Sequence, residues 1–248
     1  MSYAQGIERS YPVRISLIAV GFHSDMCQNV HRYEREGAWS SSHGFYYRCA
    51  WFEYEEYRRH VAALLEEEAA LRESHKSESP EMLSSLVRHE TDALWNRCYR
   101  SAVSSHLFGC IAFEGFLNFY GVKRLGEEFY KRQIERLGIT EKVPVLILSC
   151  RGLLLEADSA ILTNVRHLFD ARNKLVHPKA REIDLSRIHD YVVEHPSRLP
   201  TEGNMALIES VITDFCAFDP DICRDFEFQK PESASSSDLQ GAARPSAG

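Results

Sequence analysis

Apolar residues recur at three- and four-residue steps through most of this chain, and that spacing constrains its fold more than any other feature. Tyr47, Ala50 and Trp51, Tyr54, Val61, Leu64 and Leu65, and Leu71 follow the pattern, while Glu55, Glu56, Arg58, Arg59, Glu66, Glu67 and Glu68 fill the positions between them. This is the period of an α-helix with one apolar and one charged face. It predicts one long helix from about Phe45 to Glu73. Residues 74–79, rich in serine, and then Pro80 break it.

A second helical run starts at Pro80-Glu81, where proline suits a first turn. It passes through Leu94, Cys98, Val103, Leu107, Ile111 and Leu117 to about Tyr120. That length exceeds an ordinary globular helix, so the reading places a kink within 101–105 and a stop at Gly121. A shorter helix follows at about 126–137, closed by Gly138. Thr140-Glu141-Lys142-Val143-Pro144 reads as a helix start, leading into an apolar stretch to Leu155. Asp158-Ser159 caps the next helix, whose apolar positions are Ile161, Leu162, Val165, Leu168, Phe169 and Val176. Pro178 disfavours helical geometry at His177 and ends that helix there. A final helix spans roughly 205–218. The fold class expected is all-α, a bundle of five or six helices spanning residues 45–228.

The flanks read differently. Val13-Arg14-Ile15-Ser16-Leu17-Ile18-Ala19-Val20 alternates and suits a short strand or an extended arm within residues 1–44. His23, Cys27 and His31 are spaced to share one helix face, a zinc-like arrangement. No fourth ligand accompanies them and their Gly- and Ser-containing flank is a poor helix, so no metal and no cofactor are expected. Residues 229–248, rich in Ser, Ala, Gly and Pro, are expected to be disordered.

Composition narrows the function classes. Hydrophobic residues make up 44% of the chain, enough for a substantial core. The seven cysteines are odd in number, widely spaced and form no Cys-x-x-Cys pair, which favours a reducing cytoplasm over a disulfide framework. The first residues lack a charged start followed by an apolar run, so no signal peptide is expected. Residues 101–122 hold no Lys, Arg or Asp, but His106, Glu114 and Asn118 would be costly in lipid. A buried core or dimer helix is the reading, with no membrane partner. A net charge of −7 argues against a generic nucleic-acid binder. The charge is uneven. Residues 190–248 carry 11 acids against 4 Lys and Arg. Residues 163–189 carry Arg166, Arg172, Lys174, Lys179, Arg181 and Arg187 against Asp170, Glu182 and Asp184.

Within that basic stretch lies Arg172-Asn173-Lys174-Leu175-Val176-His177-Pro178. An arginine can grip a phosphate with two parallel hydrogen bonds, and histidine is the side chain suited to moving protons near neutral pH. Asn173 and His177 are four residues apart and share a helix face, whereas Arg172 is turned from His177 by roughly 140°. The pair can meet on one phosphate by the reach of a long arginine, or across two copies. The plainer alternatives are a surface pairing of Arg172 with Asp170 or Glu182, and of Glu114 with Arg100 or Lys123. Tyr46, Tyr47, Trp51 and Tyr54 offer rings for base stacking, but their helical spacing favours core packing. The chain has no Gly-x-Ser-x-Gly turn, phosphate loop, His-Glu-x-x-His or dinucleotide-binding glycine pattern.

An all-α bundle ending in Arg-Asn-Lys-Leu-Val-His-Pro resembles the HEPN (higher eukaryotes and prokaryotes nucleotide-binding) domain, whose motif is Arg, four to six residues with a polar one first, then His. Here these are Arg172, Asn173 and His177. The apolar helix 104–120 with its embedded Glu114, and the Leu125-Gly126-Glu127-Glu128-Phe129-Tyr130 segment after it, are similar too. The resemblance covers about residues 85–217. It implies a metal-independent endoribonuclease of the kind found in toxin–antitoxin and phage-defence systems, working as a homodimer with the motif at the shared interface. His177 would exchange protons, Arg172 would stabilise phosphorane-like charge and Asn173 would orient them, with Glu114, Lys174 and Lys179 in support. RNA would be the substrate and an antitoxin a further partner. The family also has non-catalytic members that dimerise or dock a partner, and the acidity of this chain suits that role.

Overall fold

The computed structural model describes residues 13–14, 29–33, 37–177 and 194–220. Its body is an all-α bundle of seven helices: α1 (His43–Ser74), α2 (Pro80–Glu90), α3 (Asp92–Leu125), α4 (Glu127–Gln133), α5 (Ile139–Arg151), α6 (Ala160–Val176) and α7 (Thr201–Phe218). Before them, β1 (Val13–Arg14), β2 (Asn29–Tyr33) and β3 (Gly37–Ser41) form an antiparallel sheet in that order, with Val13 opposite Arg32 and His31 opposite Trp39. The described part of the expected strand is Val13–Arg14, and β2 and β3 form an antiparallel pair that the alternation of 13–20 did not signal. The proposed tail, 229–248, lies outside the described residues.

Helix α3 is the axis of the bundle. At 34 residues it is about 51 Å long, and α1, α4, α5, α6 and α7 all pack on it. Between Cys98 and Gly121 it buries Ser101, Ala102, Ser105, Gly109, Cys110, Ala112, Phe113, Phe116, Leu117 and Tyr120, residues on every side of the helix. Small side chains let neighbours come close. A Cβ at Gly109 would lie 2.1 Å from Ile208 Cδ1 on α7, and one at Gly115 would lie 3.4 Å from the Cβ of His43 at the start of α1. Aromatic rings fill the centre. Phe215 of α7 meets Phe116 and Tyr120 edge-on at 5.2 and 4.9 Å, and Phe113 meets Phe169 of α6 at 6.4 Å. The aromatic residues of α1 join this packing. Tyr47 and Tyr54 are buried, Trp51 abuts both, and Tyr46 stacks on Phe108 at 6.1 Å.

Several expected boundaries move. The long run after Pro80 breaks at Thr91, not within 101–105. The Thr91 hydroxyl donates to the carbonyl of Val87 at 2.7 Å beside the Thr91 N–H at 3.0 Å, and its backbone sits at φ −91°, ψ 3°. Ser101 and Ser105 lie inside an unbroken helix. Gly121 does not stop α3. It is buried there because a Cβ would meet the Tyr130 ring at 2.4 Å and Leu146 at 3.0 Å. The stop is Gly126, whose φ of 85° suits glycine. Helix α4 is shorter than expected, and Gly138 opens α5 rather than closing α4, its N–H donating to the Glu141 carboxylate at 3.3 Å. Pro144 lies inside α5, and left-handed Gly152 (φ 69°) ends it before Leu155. Ser159 occupies the N-cap position of α6 without a side-chain cap bond. Helix α7 begins four residues earlier than the reading placed it, at Thr201.

Asp219, just past α7, ties three helix ends together. Its buried carboxylate accepts from Arg124 Nε and Nη2 at 2.9 and 2.7 Å and from the Tyr120 hydroxyl at 3.2 Å, with Arg151 Nη1 3.8 Å away. The segment leading into α7 is strapped to α1 and α3. Tyr57 donates to the carbonyl of Pro196 at 2.8 Å, Tyr99 donates to that of Glu194, and His195 Nε2 bonds Glu68 at 3.2 Å. Cys49, Cys98, Cys110 and Cys150 are free thiols, whereas Cys216 is disulfide-bonded. Among the described residues no helix is long and apolar enough to cross a membrane.

Candidate active site

Helix α6 buries Ile161, Leu162, Val165, Leu168 and Phe169 and then leaves the core. Its last two turns carry the Arg/His segment into solvent: Arg172 is half-buried, and Asn173, Lys174, Leu175, Val176 and His177 are exposed. Val176 continues the apolar spacing seven residues after Phe169, yet it is 40% exposed. Arg172 Nη1 donates to Asn173 Oδ1 at 3.0 Å. His177 is the C-cap, at φ −121° and ψ 63°, and its N–H donates to the carbonyl of Asn173 at 2.9 Å. Asn173 therefore binds Arg172 through its side chain and His177 through its backbone. Arg172 forms no ion pair with Asp170, so that surface alternative is absent, and Glu182 and Lys179 lie outside the described residues.

Beneath this segment, His106 of α3 holds α6 in place. Its Nε2 lies 3.2 Å from the carbonyl of Leu168, which also receives the helical N–H of Arg172. A carbonyl only accepts, so Nε2 carries the proton. Burial lowers the His106 pKa, which keeps the ring neutral, and its buried Nδ1 has no partner among the described residues. Cys110, one turn on, contacts the same carbonyl at 3.9 Å and His106 at 3.7 Å. Burial pushes its thiol up to about 12, against an opposing influence from the Arg172 guanidinium. The α6 turn that carries Arg172 is thus bonded to a buried, neutral histidine of α3.

Glu114 continues the same stripe, His106, Cys110, Glu114 and Asn118, each one turn from the last. It is half-buried and pairs with neither Arg100 nor Lys123 among the described residues. Its field acts on Lys142 of α5, which is 2% exposed. Lys142 Nζ donates to Asn118 Oδ1 at 2.9 Å, and the Tyr130 hydroxyl donates to the same oxygen at 2.6 Å. Burial lowers the Lys142 pKa, and the nearby charges of Glu114 and Glu135 oppose that shift. Sequence reasoning missed Lys142. The signal was its place beside Val143, Leu146 and Ile147 on one buried helix face. Another missed group is Glu68, Trp95, His195 and Ser197, assembled across 127 residues of sequence between Glu68 and His195. His31 belongs to β2, so the helical His23, Cys27, His31 arrangement does not form there; His23 and Cys27 lie outside the described residues.

The chain has no significant match among protein-family models, curated proteins or solved structures.

Proposed function

We propose that this chain is a HEPN-type, metal-independent endoribonuclease whose reacting groups are Arg172, Asn173 and His177. The observation that carries the reading is the exposure of His177 at the α6 C-cap, linked through Asn173 to the Arg172 guanidinium. A proton carrier and a phosphate-binding cation then share one helix end that substrate can reach. In the reaction, the ribose 2′-oxygen attacks the adjacent phosphorus as His177 takes its proton, and the bond to the 5′-oxygen breaks as that oxygen takes a proton from the resulting imidazolium, restoring the neutral ring. Arg172 stabilises charge on the equatorial oxygens. The products are a 2′,3′-cyclic phosphate and a 5′-hydroxyl. Lys174, exposed beside the motif, adds attraction for the RNA backbone. Glu114 and Lys179 remain supporting candidates, and a toxin or defence effector is the role this chemistry fits.

Cleavage of mixed RNA by the purified protein in excess EDTA tests the reading. Wild type should leave cyclic phosphate ends, and His177→Ala should lose about 100-fold or more of the rate. Equal cleavage by both proteins would remove His177 from the mechanism.

A specific observation favours a second reading, a non-catalytic dimerisation or partner-binding module. Leu175 and Val176 are each 40% exposed at the motif, and apolar side chains at an exposed helix end suit docking. Absence of cleavage together with a homodimer that Leu175→Glu dissociates would select it.

A further inference from the structure

Away from the α6 segment, Ser197, His195 and Glu68 lie in one hydrogen-bonded line. Ser197 Oγ is 2.7 Å from His195 Nδ1. His195 Nε2 is 3.2 and 3.3 Å from the two carboxylate oxygens of Glu68. The protonation of the ring follows from a neighbouring contact. The Ser197 backbone N–H donates to Nδ1 at 3.2 Å, so Nδ1 offers a lone pair and the proton sits on Nε2, facing Glu68. That is the tautomer a general base needs.

The surroundings fix all three groups. The Trp95 indole N–H donates to Glu68 at 3.2 Å and holds the carboxylate. The Trp95 ring meets the imidazole edge-on at 4.9 Å and holds its plane. Tyr57 and Tyr99 pin the backbone on either side of His195, at Pro196 and Glu194. Exposure rises along the line, from 13% at the Glu68 side chain to 24% at His195 and an exposed Ser197. The anion is inside and the hydroxyl outside. A backbone latch accounts for the amide contact to Nδ1. It does not require the shorter hydroxyl contact or the supported carboxylate on the far nitrogen.

We propose that Ser197, His195 and Glu68 form a second reactive centre, in which Ser197 is a nucleophile toward activated carboxylic esters. Ser197 Oγ bonds to the carbonyl carbon while its proton passes to His195 Nδ1, and Glu68 stabilises the resulting imidazolium. The bond to the leaving oxygen then breaks, and that oxygen takes the proton from Nδ1. Water, deprotonated by the same ring, releases the acid and restores the serine. The amides of this turn are already engaged, Ser197 N–H by Nδ1 and Arg198 N–H by the carbonyl of His195 at 2.9 Å. No backbone oxyanion hole is offered there, so the substrate class is restricted to esters with good leaving groups.

The test uses the full chain and an alkyl fluorophosphonate, which reacts with activated serines by losing fluoride. Peptide mass spectrometry should place the adduct on Ser197, and Ser197→Ala should abolish it. Glu68→Gln keeps an acceptor for Trp95 and His195 but removes the charge; it should slow labelling at least about tenfold while the melting temperature holds. An unlabelled wild type, an adduct that persists in Ser197→Ala, or an unchanged labelling rate in Glu68→Gln would each overturn the proposal.

Discussion

Lys142 places an ammonium group in the core with the neutral amide oxygen of Asn118 as its hydrogen-bond acceptor. Burying a charge without a carboxylate in contact is costly, and replacing such a group with an apolar one of similar size is often neutral or stabilising. The linkage has a definite sign. The folded pKa of Lys142 lies below the ordinary 10.5, so at intermediate pH the unfolded chain binds the extra proton. Its stability penalty is therefore full at low pH and is relieved as pH rises from the lowered folded value to 10.5. Lys142→Met should be at least as stable as wild type near neutrality, and the gap should narrow toward pH 10. Urea melts of both proteins at pH 7 and pH 10 check this, and a gap that widens with pH would refute it. Comparing the two proteins cancels the opposite alkaline trend of the buried thiols Cys98, Cys110 and Cys150, whose pKa values are raised to about 11, 12 and 11.

Between elements, the Asp219 clamp is a buried charged tie. It joins α7 to the C-terminal end of α3 through two Arg124 bonds and the Tyr120 hydroxyl, with Arg151 at the end of α5 3.8 Å away. Arg124 is 27% exposed, so water offsets part of its loss, while Tyr120 is fully buried. Asp219→Ala leaves both donors without that acceptor and should cost about 3 kcal/mol. Chemical denaturation measures it; a loss within about 0.5 kcal/mol would mean that solvent already competes for these groups. The break between α2 and α3 belongs to the same scale. The backbone bonds run on through Thr91, from its N–H to Val87 and from Trp95 N–H to its carbonyl at 3.0 Å each, and the apolar spacing continues on both sides. Periodicity alone therefore could not locate the division.

Across the whole molecule, α6 is a helix whose cover ends part-way: its buried positions run from Ile161 to Phe169, and 173–176 are exposed. It rests on α3 through Leu168, Phe169 and the His106 bond, and its final turns carry the Arg/His segment outward. Regions with few buried contacts open first. Cys110 lies under Leu168, whereas Cys98 is buried in the long α1–α3 packing. Iodoacetamide at pH 8 should leave both thiols unmodified over minutes in the native protein and alkylate both in urea. As urea is raised below the global transition, Cys110 should react before Cys98. The reverse order would show that α6 is held as firmly as the α1–α3 pair. Labelling followed by peptide mass spectrometry reads both sites in one sample.

Short-range sequence determined that the chain is helical, where α1 begins and ends and, through Pro178, that α6 stops at His177, because these depend on neighbours within a turn or two. The exposure of Leu175 and Val176 was not legible, since Val176 follows Phe169 by seven residues and continues the apolar spacing. The tertiary structure decided what depends on distant partners. Gly121 reads as a helix stop, yet the Tyr130 ring packs where its side chain would be. Glu114 reads as a partner for Arg100 or Lys123, yet the described cation within its field is Lys142, 28 residues away on α5. The Glu68, His195 and Ser197 line had no local signature, because its members meet only when the segment before α7 folds back across α1 and α3. Helix formation is settled by short-range hydrogen bonds, whereas the chemistry of a buried or paired side chain is settled by whatever the rest of the chain brings against it.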